Sequence, residues 1–459
     1  MAELLALRKE VAELRRKLVA AEAEIESLKR SGKRQATPFS KGERVARPKT
    51  PGRKKGQGGR FCRRLAPPPD SYTREVSVPV TQPCCPRCAG PLSPDRTETV
   101  TTTELPAFVP LDVYAFHLAT SRCRTCRHRV WATHPEVPPD QRGATAHRVG
   151  QRVMSACHLM HYHLGVPVRK VPFILETLFD LSITQGAITQ DALRRARANL
   201  GEAYQELRRT IAREAVVCTD DTGWKVAGAP AFLMGFFSPM TSLFQIRARH
   251  RNEEVREVIP GDFRGTLSTD RGVSYDALEL RGVRQQKCLG HIQRDLAEAL
   301  ENQWGRGRSF CLRLRKLLRS AVTLWTAYRT GNAPDWETER TRIIQAVDDH
   351  LRDRPMADPV NRRLLKELGG HHRRRNLLRF LEDPRVEPTN NRAERGLRPA
   401  VIARKVSHCS KTWDGAHAHA VFASLLSTLH LRGSPKSPGS GLIDSMAAVF
   451  RTGRLPDGR

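Results

Sequence analysis

Hydrophobic positions divide the chain into stretches of different period. Near the N-terminus Leu4, Leu7, Val11, Leu14, Leu18, Ala21, Ile25 and Leu28 alternate steps of three and four over four heptads. Such an a/d seam predicts a helix over 1–30 that needs a partner, most simply a second copy in a short coiled coil. Helical spacing returns in Val168–Phe179 and in Ala187–Leu200, and the second helix runs on through Tyr204, Leu207 and Ile211. Between the first two lies Leu181–Gly186, so the pair reads either as a helix-turn-helix with Arg194, Arg195 and Arg197 on its second helix or as an ordinary helical hairpin. From Ala215 the period shortens. Ala215–Cys218, Phe232–Phe237 and Leu243–Ala248 read as three strands of an antiparallel meander. A helix over Asn252–Ile259, a strand ending at Asp270, a strand over Gln286–Leu289 and a helix over Ile292–Leu300 follow. Ser309–Glu382 reads as one long helical region, and a further helix starts near Pro388 and Thr389.

Charge changes this picture most. The 459 residues carry a formal net charge of +30, with a pI near 10.5. That excess favours a polyanionic partner, DNA or RNA. Between Arg30 and Arg64 stand 13 Lys or Arg against the single acid Glu43. This stretch cannot build a core, and Pro51–Arg60, with Arg53, Lys54 and Lys55, reads as a basic arm for phosphates or a minor groove. The apolar runs fall short of the roughly 18–20 residues needed to span a bilayer. The charged N-terminus does not resemble a secretory signal. Eleven cysteines, mostly scattered, fit a reducing, cytoplasmic location better than a disulfide scaffold.

Two motifs carry candidate chemistry. Cys85-Pro-Arg-Cys88 and Cys123-Arg-Thr-Cys126 each put two thiolates on a knuckle, and together they predict a structural four-cysteine Zn2+ site. Cys84 and His128 are the alternative ligands. Val100–Leu105 and Val109–Leu118 alternate between the motifs and are expected as the strands of a zinc ribbon. The second motif is Val216-Val-Cys-Thr-Asp220-Asp221-Thr-Gly-Trp224. Carboxylates at the end of a buried strand call for a cation, and a divalent ion needs more oxygen ligands than one segment supplies. Asp270 repeats the theme of a short strand ending in a carboxylate. Glu394 stands one turn into a basic helix with Arg395, Arg398, Arg404 and Lys405, where it is either an ion-pair partner of Arg398 or a third ligand.

Three antiparallel strands, helix, strand, helix, strand, helix is the order of a ribonuclease-H-like (retroviral-integrase-like) core. In that order the first and fourth strands lie side by side, so Asp220 and Asp270 would converge. The chain also resembles the insertion-sequence-66 family of bacterial DDE transposases, in Thr219-Asp-Asp-Thr222, Ser268-Thr-Asp270, Cys288-Leu-Gly-His-Ile-Gln-Arg294 and Thr389-Asn-Asn-Arg-Ala-Glu-Arg395 with Arg398-Pro399 and Arg404-Lys405. The resemblance implies a helical insertion before the glutamate. It also implies Asp220, Asp270 and Glu394 as ligands of Mg2+ (or Mn2+), and DNA cutting and joining at element ends and target. The family's usual Asp-Glu-Thr is Asp220-Asp221-Thr222 here, which leaves Asp221 as an alternative ligand. His291 and Arg294 would line the site or meet phosphate, and Arg395, Arg398, Arg404 and Lys405 would hold the DNA backbone. Small accessory proteins and association with the bacterial nucleoid are also implied. A nuclease without strand transfer and a non-catalytic DNA-binding regulator are the competing readings.

The expected organisation is a multidomain α/β chain. It runs as a coiled coil (1–30), a basic arm (31–75), a zinc ribbon (76–137), a helical segment with the candidate helix-turn-helix for DNA (138–212), a catalytic domain (213–430, insertion about 301–385) and a tail (431–459).

Overall fold

Two adjacent carboxylates do not end the strand that carries them. In the computed structural model that strand runs from Val216 to Val226, and the turn comes only at Ala227 and Gly228, both at positive φ (51° and 81°). That is the backbone a two-residue hairpin demands. The model describes residues 68–456 apart from 94, 95, 98, 104, 107, 108, 138–148, 302, 408 and 434–440. The expected coiled coil and the arm residues Arg53, Lys54 and Lys55 lie outside the described residues.

The chain divides into two units, Met1–Leu105 and Pro106–Arg459. In the first, the described residues of Val100–Leu105 are mostly exposed and form no strand. In the second, Val109–Leu118 likewise carries no ladder. A short hairpin, β1 (Thr120–Arg122) with β2 (Arg129–Trp131), forms instead around the second CxxC. Alternation alone did not make strands there, because without a buried face it has nothing to pack on.

Helices α1 (Gln151–His158), α2 (Val171–Phe179), α3 (Gln185–Arg197) and α4 (Leu200–Ile211) come next. Thr184 caps α3, its hydroxyl accepting the Ala187 N–H at 3.1 Å. The arginines expected on a recognition helix are engaged within the fold. Arg195 is buried, with Nε donating to both oxygens of Asp191 at 2.8 and 2.9 Å. Arg194 also meets Asp191, at 2.5 Å, and Arg197 pairs with Asp414. His158 completes this buried cluster at 2.8 Å from Asp191.

The central sheet comprises β3 (Val216–Val226), β4 (Ala229–Phe237), β5 (Ser242–Arg247), β6 (Thr266–Thr269) and β7 (Arg284–Lys287), with the short helix α5 (Asn252–Arg256) after β5. Strand order is β5-β4-β3-β6-β7. The first three strands pair antiparallel, while β6 and β7 add in parallel beside β3. Both faces are covered, which explains the nearly unbroken apolar run of β4. Alternate residues divide between the faces. Val217, Met234, Phe236 and Leu267 enter one core with α4, α12 (Trp413–Arg432) and α13 (Leu442–Thr452). Cys218, Leu233 and Phe237 enter another with α11 (Asn391–Ser407). The edge strand β5 is closed by α12. The Ser424 hydroxyl accepts from Phe244 N–H at 2.8 Å, and Thr428 accepts from Ser242 N–H at 3.0 Å. Residues 431–459, expected as a tail, thus include a helix whose Met446, Val449 and Phe450 are buried.

Between β7 and α11 stand α6 (Leu289–Glu301), α7 (Arg308–Arg329), α8 (Trp336–His350), α9 (Pro359–Arg373) and α10 (Arg379–Glu382). They share a core of their own that includes Leu296, Leu314, Leu318, Val347 and Leu368.

α11 crosses the sheet closely because glycines face the Phe237 ring from both sides. A Cβ on Gly235 would lie 2.5 Å from that ring and 3.0 Å from Leu397, and a Cβ on Gly396 would also enter it. Gly396→Ala is therefore expected to destabilise by about 1–3 kcal/mol through overpacking. Chemical denaturation measures this, and an unchanged midpoint would mean the helix has room to shift.

Candidate active site

The register of the parallel strands builds the site. Cys218 pairs with Ser268, so two residues further on Asp220 and Asp270 stand level where β3 loses its parallel neighbour. Asp220 shares the parity of Cys218 and faces α11. Asp221 has the opposite parity and faces away, with one oxygen 3.2 Å from His250 Nδ1.

Glu394 reaches this face from the first, exposed turn of α11. Its approach is fixed by the residues just before the helix. Buried Asn390 donates from Nδ2 to the Thr219 carbonyl at 2.8 Å, one residue before Asp220. Its backbone N–H donates to Cys288 Sγ at 3.2 Å. Leu289 N–H donates to Pro388 O at 2.9 Å, and Cys288 N–H to Thr269 O at 2.8 Å. Strands β3, β6 and β7 are thereby tied to the start of α11.

Electrostatics register the convergence. Burial pushes Asp220 up to about 7, and the negative charges of Asp221, Asp270 and Glu394 add to it against a backbone N–H bond from Asp221. Burial, then Asp270, pushes Asp221 up to about 6. Glu394 acts on Asp220 and is not among the causes for Asp221, as their opposite faces require. Asp270 accepts the Gly272 N–H at 2.8 Å. Burial, then Asp221, holds the Tyr275 phenol well above its ordinary value. Lys287, wholly buried beside the site, bonds Thr269 Oγ1 at 3.2 Å and Asp276 at 3.1 Å, and burial lowers its pKa. Among the described residues, no three His, Cys, Asp or Glu side chains close to metal-coordinating spacing.

His291 lies on α6 beside Cys288, whose hydrogen bond raises the imidazole pKa; Glu394 adds in the same direction. Arg294, Arg395 and Arg398 are exposed. No ion pair joins Glu394 to Arg398, so the carboxylate is not held by the cation one turn on. Arg404, expected on phosphate, instead holds β3, with Nη1 donating to Thr222 Oγ1 at 2.9 Å and to Gly223 O at 2.5 Å. Lys405 is half-buried on the same helix. Arg271, next to Asp270, binds Glu367 of α9 at 2.5 Å and also pairs with Asp295 of α6.

Each CxxC forms a knuckle in its own unit. Cys85 N–H donates to Gly90 O at 2.9 Å, and Ala89, at φ 56°, turns the chain. Cys123 N–H donates to His128 O at 2.8 Å, and Arg127, at φ 61°, turns it likewise. Backbone N–H groups lower the pKa of both leading thiols, those of Arg87 and Cys88 at Cys85 and those of Cys126 and Thr125 at Cys123.

Sequence reasoning did not assign His250, Asn390, Cys288 or Lys287 to the site. Asn390 and Cys288 sit inside the motifs that flank it, but only the fold gives them partners.

Residues 147–418 match the family model described as the transposase IS66 family. The matched span is more than half of the chain and holds β3 to α11 with all four carboxylates. No curated protein matches the chain.

Proposed function

Because the chain belongs to the IS66 family of transposases, and is thus placed among DNA-cutting and DNA-joining enzymes, we propose that Asp220, Asp270 and Glu394 form its catalytic centre. The observation that carries this reading is the meeting of charge at Asp220, where Asp270 and Glu394 both add repulsion to a half-buried strand carboxylate. The β3–β6 register sets Asp220 level with Asp270, and the Asn390 bond ties the start of the Glu394 helix to the residue before Asp220. A sheet with a three-strand meander and two parallel strands beside its first member supports a ribonuclease-H-like core.

The donor set fits hard divalent cations, since the three residues offer carboxylate oxygens alone. The shared burial that drives Asp220 upward describes a pocket of negative charge suited to neutralisation by a cation. When bound, two Mg2+ (or Mn2+) would supply an activated water or 3′-hydroxyl and stabilise the leaving oxygen in an in-line displacement. Asp220 and Asp270 hold the sheet side, and Glu394 holds the helix side. His291 and Arg294 on α6, and Arg395 and Arg398 on α11, are positioned to bind phosphates. Asp221 orients His250 rather than completing the triad. Each cysteine knuckle offers two thiolates suited to structural Zn2+. Element ends and target DNA are the proposed substrates; a coiled-coil homo-oligomer and small accessory proteins are proposed partners. No helix among the described residues is long and apolar enough to cross a membrane.

The test is incubation of the full chain and Mg2+ with a plasmid carrying the DNA that flanks its gene on both sides. Nicks ending in a 3′-hydroxyl, followed by joined products, are expected. Cutting without joining would make the protein a nuclease, and binding without cutting a regulator.

A further inference from the structure

We propose that the helical insertion carries a second DNA-binding surface, a basic groove between α7 and α8 that takes the phosphate backbone of a duplex. Helix α7 holds five arginines and one lysine in 22 residues, with no acid among them. Like charges at three- and four-residue spacing, as in Arg315, Lys316 and Arg319, weaken a helix unless an anion offsets them. The neighbouring helix shows the usual arrangement, in which Glu337 and Glu339 pair with Arg340 and Arg342 at 2.6 Å each.

On α7, three cations are held by neutral groups of the fold. Arg308 bonds Gln303 O at 3.3 Å, Arg329 bonds Pro384 O at 3.3 Å, and Arg315 bonds Gln293 Oε1 at 3.4 Å. Arg313, Lys316 and Arg319 are exposed and have no carboxylate partner among the described residues. Arg315, Lys316 and Arg319 line an open groove of about 490 Å³ together with Ser320, Thr323 and apolar side chains of both helices. The one acid in the groove, Glu339, is already paired with Arg342. Cations and hydroxyls along an open groove, without base-reading amides, suit backbone contact irrespective of sequence.

One cation of the groove is tied to the helix that also carries His291. Gln293, which holds Arg315, lies on α6 two residues from His291 and next to Arg294. Duplex DNA is the occupant the charge favours in a chain of net charge +30. Only the identity of that polyanion rests on the DNA-processing reading above.

The experiment measures binding of the full chain to a long labelled duplex across a NaCl series. For the double variant Lys316→Gln/Arg319→Gln, the slope of log K against log[NaCl] is expected to become shallower by about 1.8, from ~0.9 per lost phosphate contact. The charge-keeping pair Lys316→Arg/Arg319→Lys should retain the wild-type slope. Both residues are exposed, so melting temperatures should agree. An unchanged slope in the glutamine variant overturns the proposal. An unchanged slope with an altered sedimentation coefficient reassigns the groove to contact between copies and overturns it equally. A groove effect in a protein that never cuts DNA would sink the catalytic reading alone.

Discussion

Replacing Glu394 by Gln is expected to abolish DNA cleavage and joining, by about a thousandfold or more, while leaving fold and DNA affinity unchanged. The side chain is exposed on the first turn of α11 and has no ion-pair partner among the described residues, so removing its charge breaks no salt bridge there. Its electrostatic influence falls on Asp220, which it repels, and on His291, whose charged form it favours. Its proposed role is to hold a cation that stabilises charge in the transition state. Loss of such stabilisation is worth several kcal/mol, and each 1.36 kcal/mol is tenfold in rate. Gel-resolved cleavage under single-turnover conditions reads the loss, and anisotropy with the same duplex reads binding. Retained cleavage would remove Glu394 from the centre. Loss of binding together with cleavage would make it a DNA contact instead.

The second large effect runs in the opposite direction. In the absence of divalent cations, Asp220→Asn is expected to stabilise the protein above neutral pH, by about 4 kcal/mol at most. The folded pKa of Asp220 is raised to about 7 from the model-compound value of 3.8. Below about pH 4 the group is protonated in both states and contributes no pH dependence. Between pH 4 and 7 the unfolded chain ionises while the folded one keeps its proton. The stability of the wild type therefore falls across that window, and the loss is complete above the folded pKa. Asp221, pushed up to about 6, acts in the same direction. The variant lacks the Asp220 share, so its stability should decline less between pH 4 and 7. Denaturant melts with a chelator present, at pH 4 and pH 8, measure the difference. Mg2+ should narrow it by stabilising only the wild type. A variant that is less stable at pH 8 would show that the carboxylate makes a favourable contact in the metal-free protein.

Much of the sheet was legible because period-two patterning and short turns specify a meander. The level of Asp220 with Asp270 followed from strand order. The length of β3 did not. Asp220-Asp221-Thr222-Gly223 has the composition of a turn, and only the ladder to β4, from Cys218–Phe237 to Val226–Ala229, holds it extended. That ladder fixes the parity of the two aspartates, which supports Asp220 over Asp221 in the proposed triad. Arginines were the least legible. Arg194, Arg195 and Arg404 look alike in a basic chain, yet the first two neutralise Asp191 and the third holds the β3 backbone. The unpaired cations of α7 were visible as composition, but not as a groove until α8 was placed beside them. Asn390 gave no signal of its role, because its partner Thr219 is 171 positions away.

The bonds that join Leu289 to Pro388 and Cys288 to Asn390 have a consequence for how such a chain could diversify. The strand leaving the sheet and the segment returning to it are fastened together before nearly 100 residues of helix depart between them. With its own core, that helical body behaves as a graft on a closed stem. Its length, charge and partners can drift, or be exchanged wholesale, while the stem keeps the returning glutamate in register with the two aspartates.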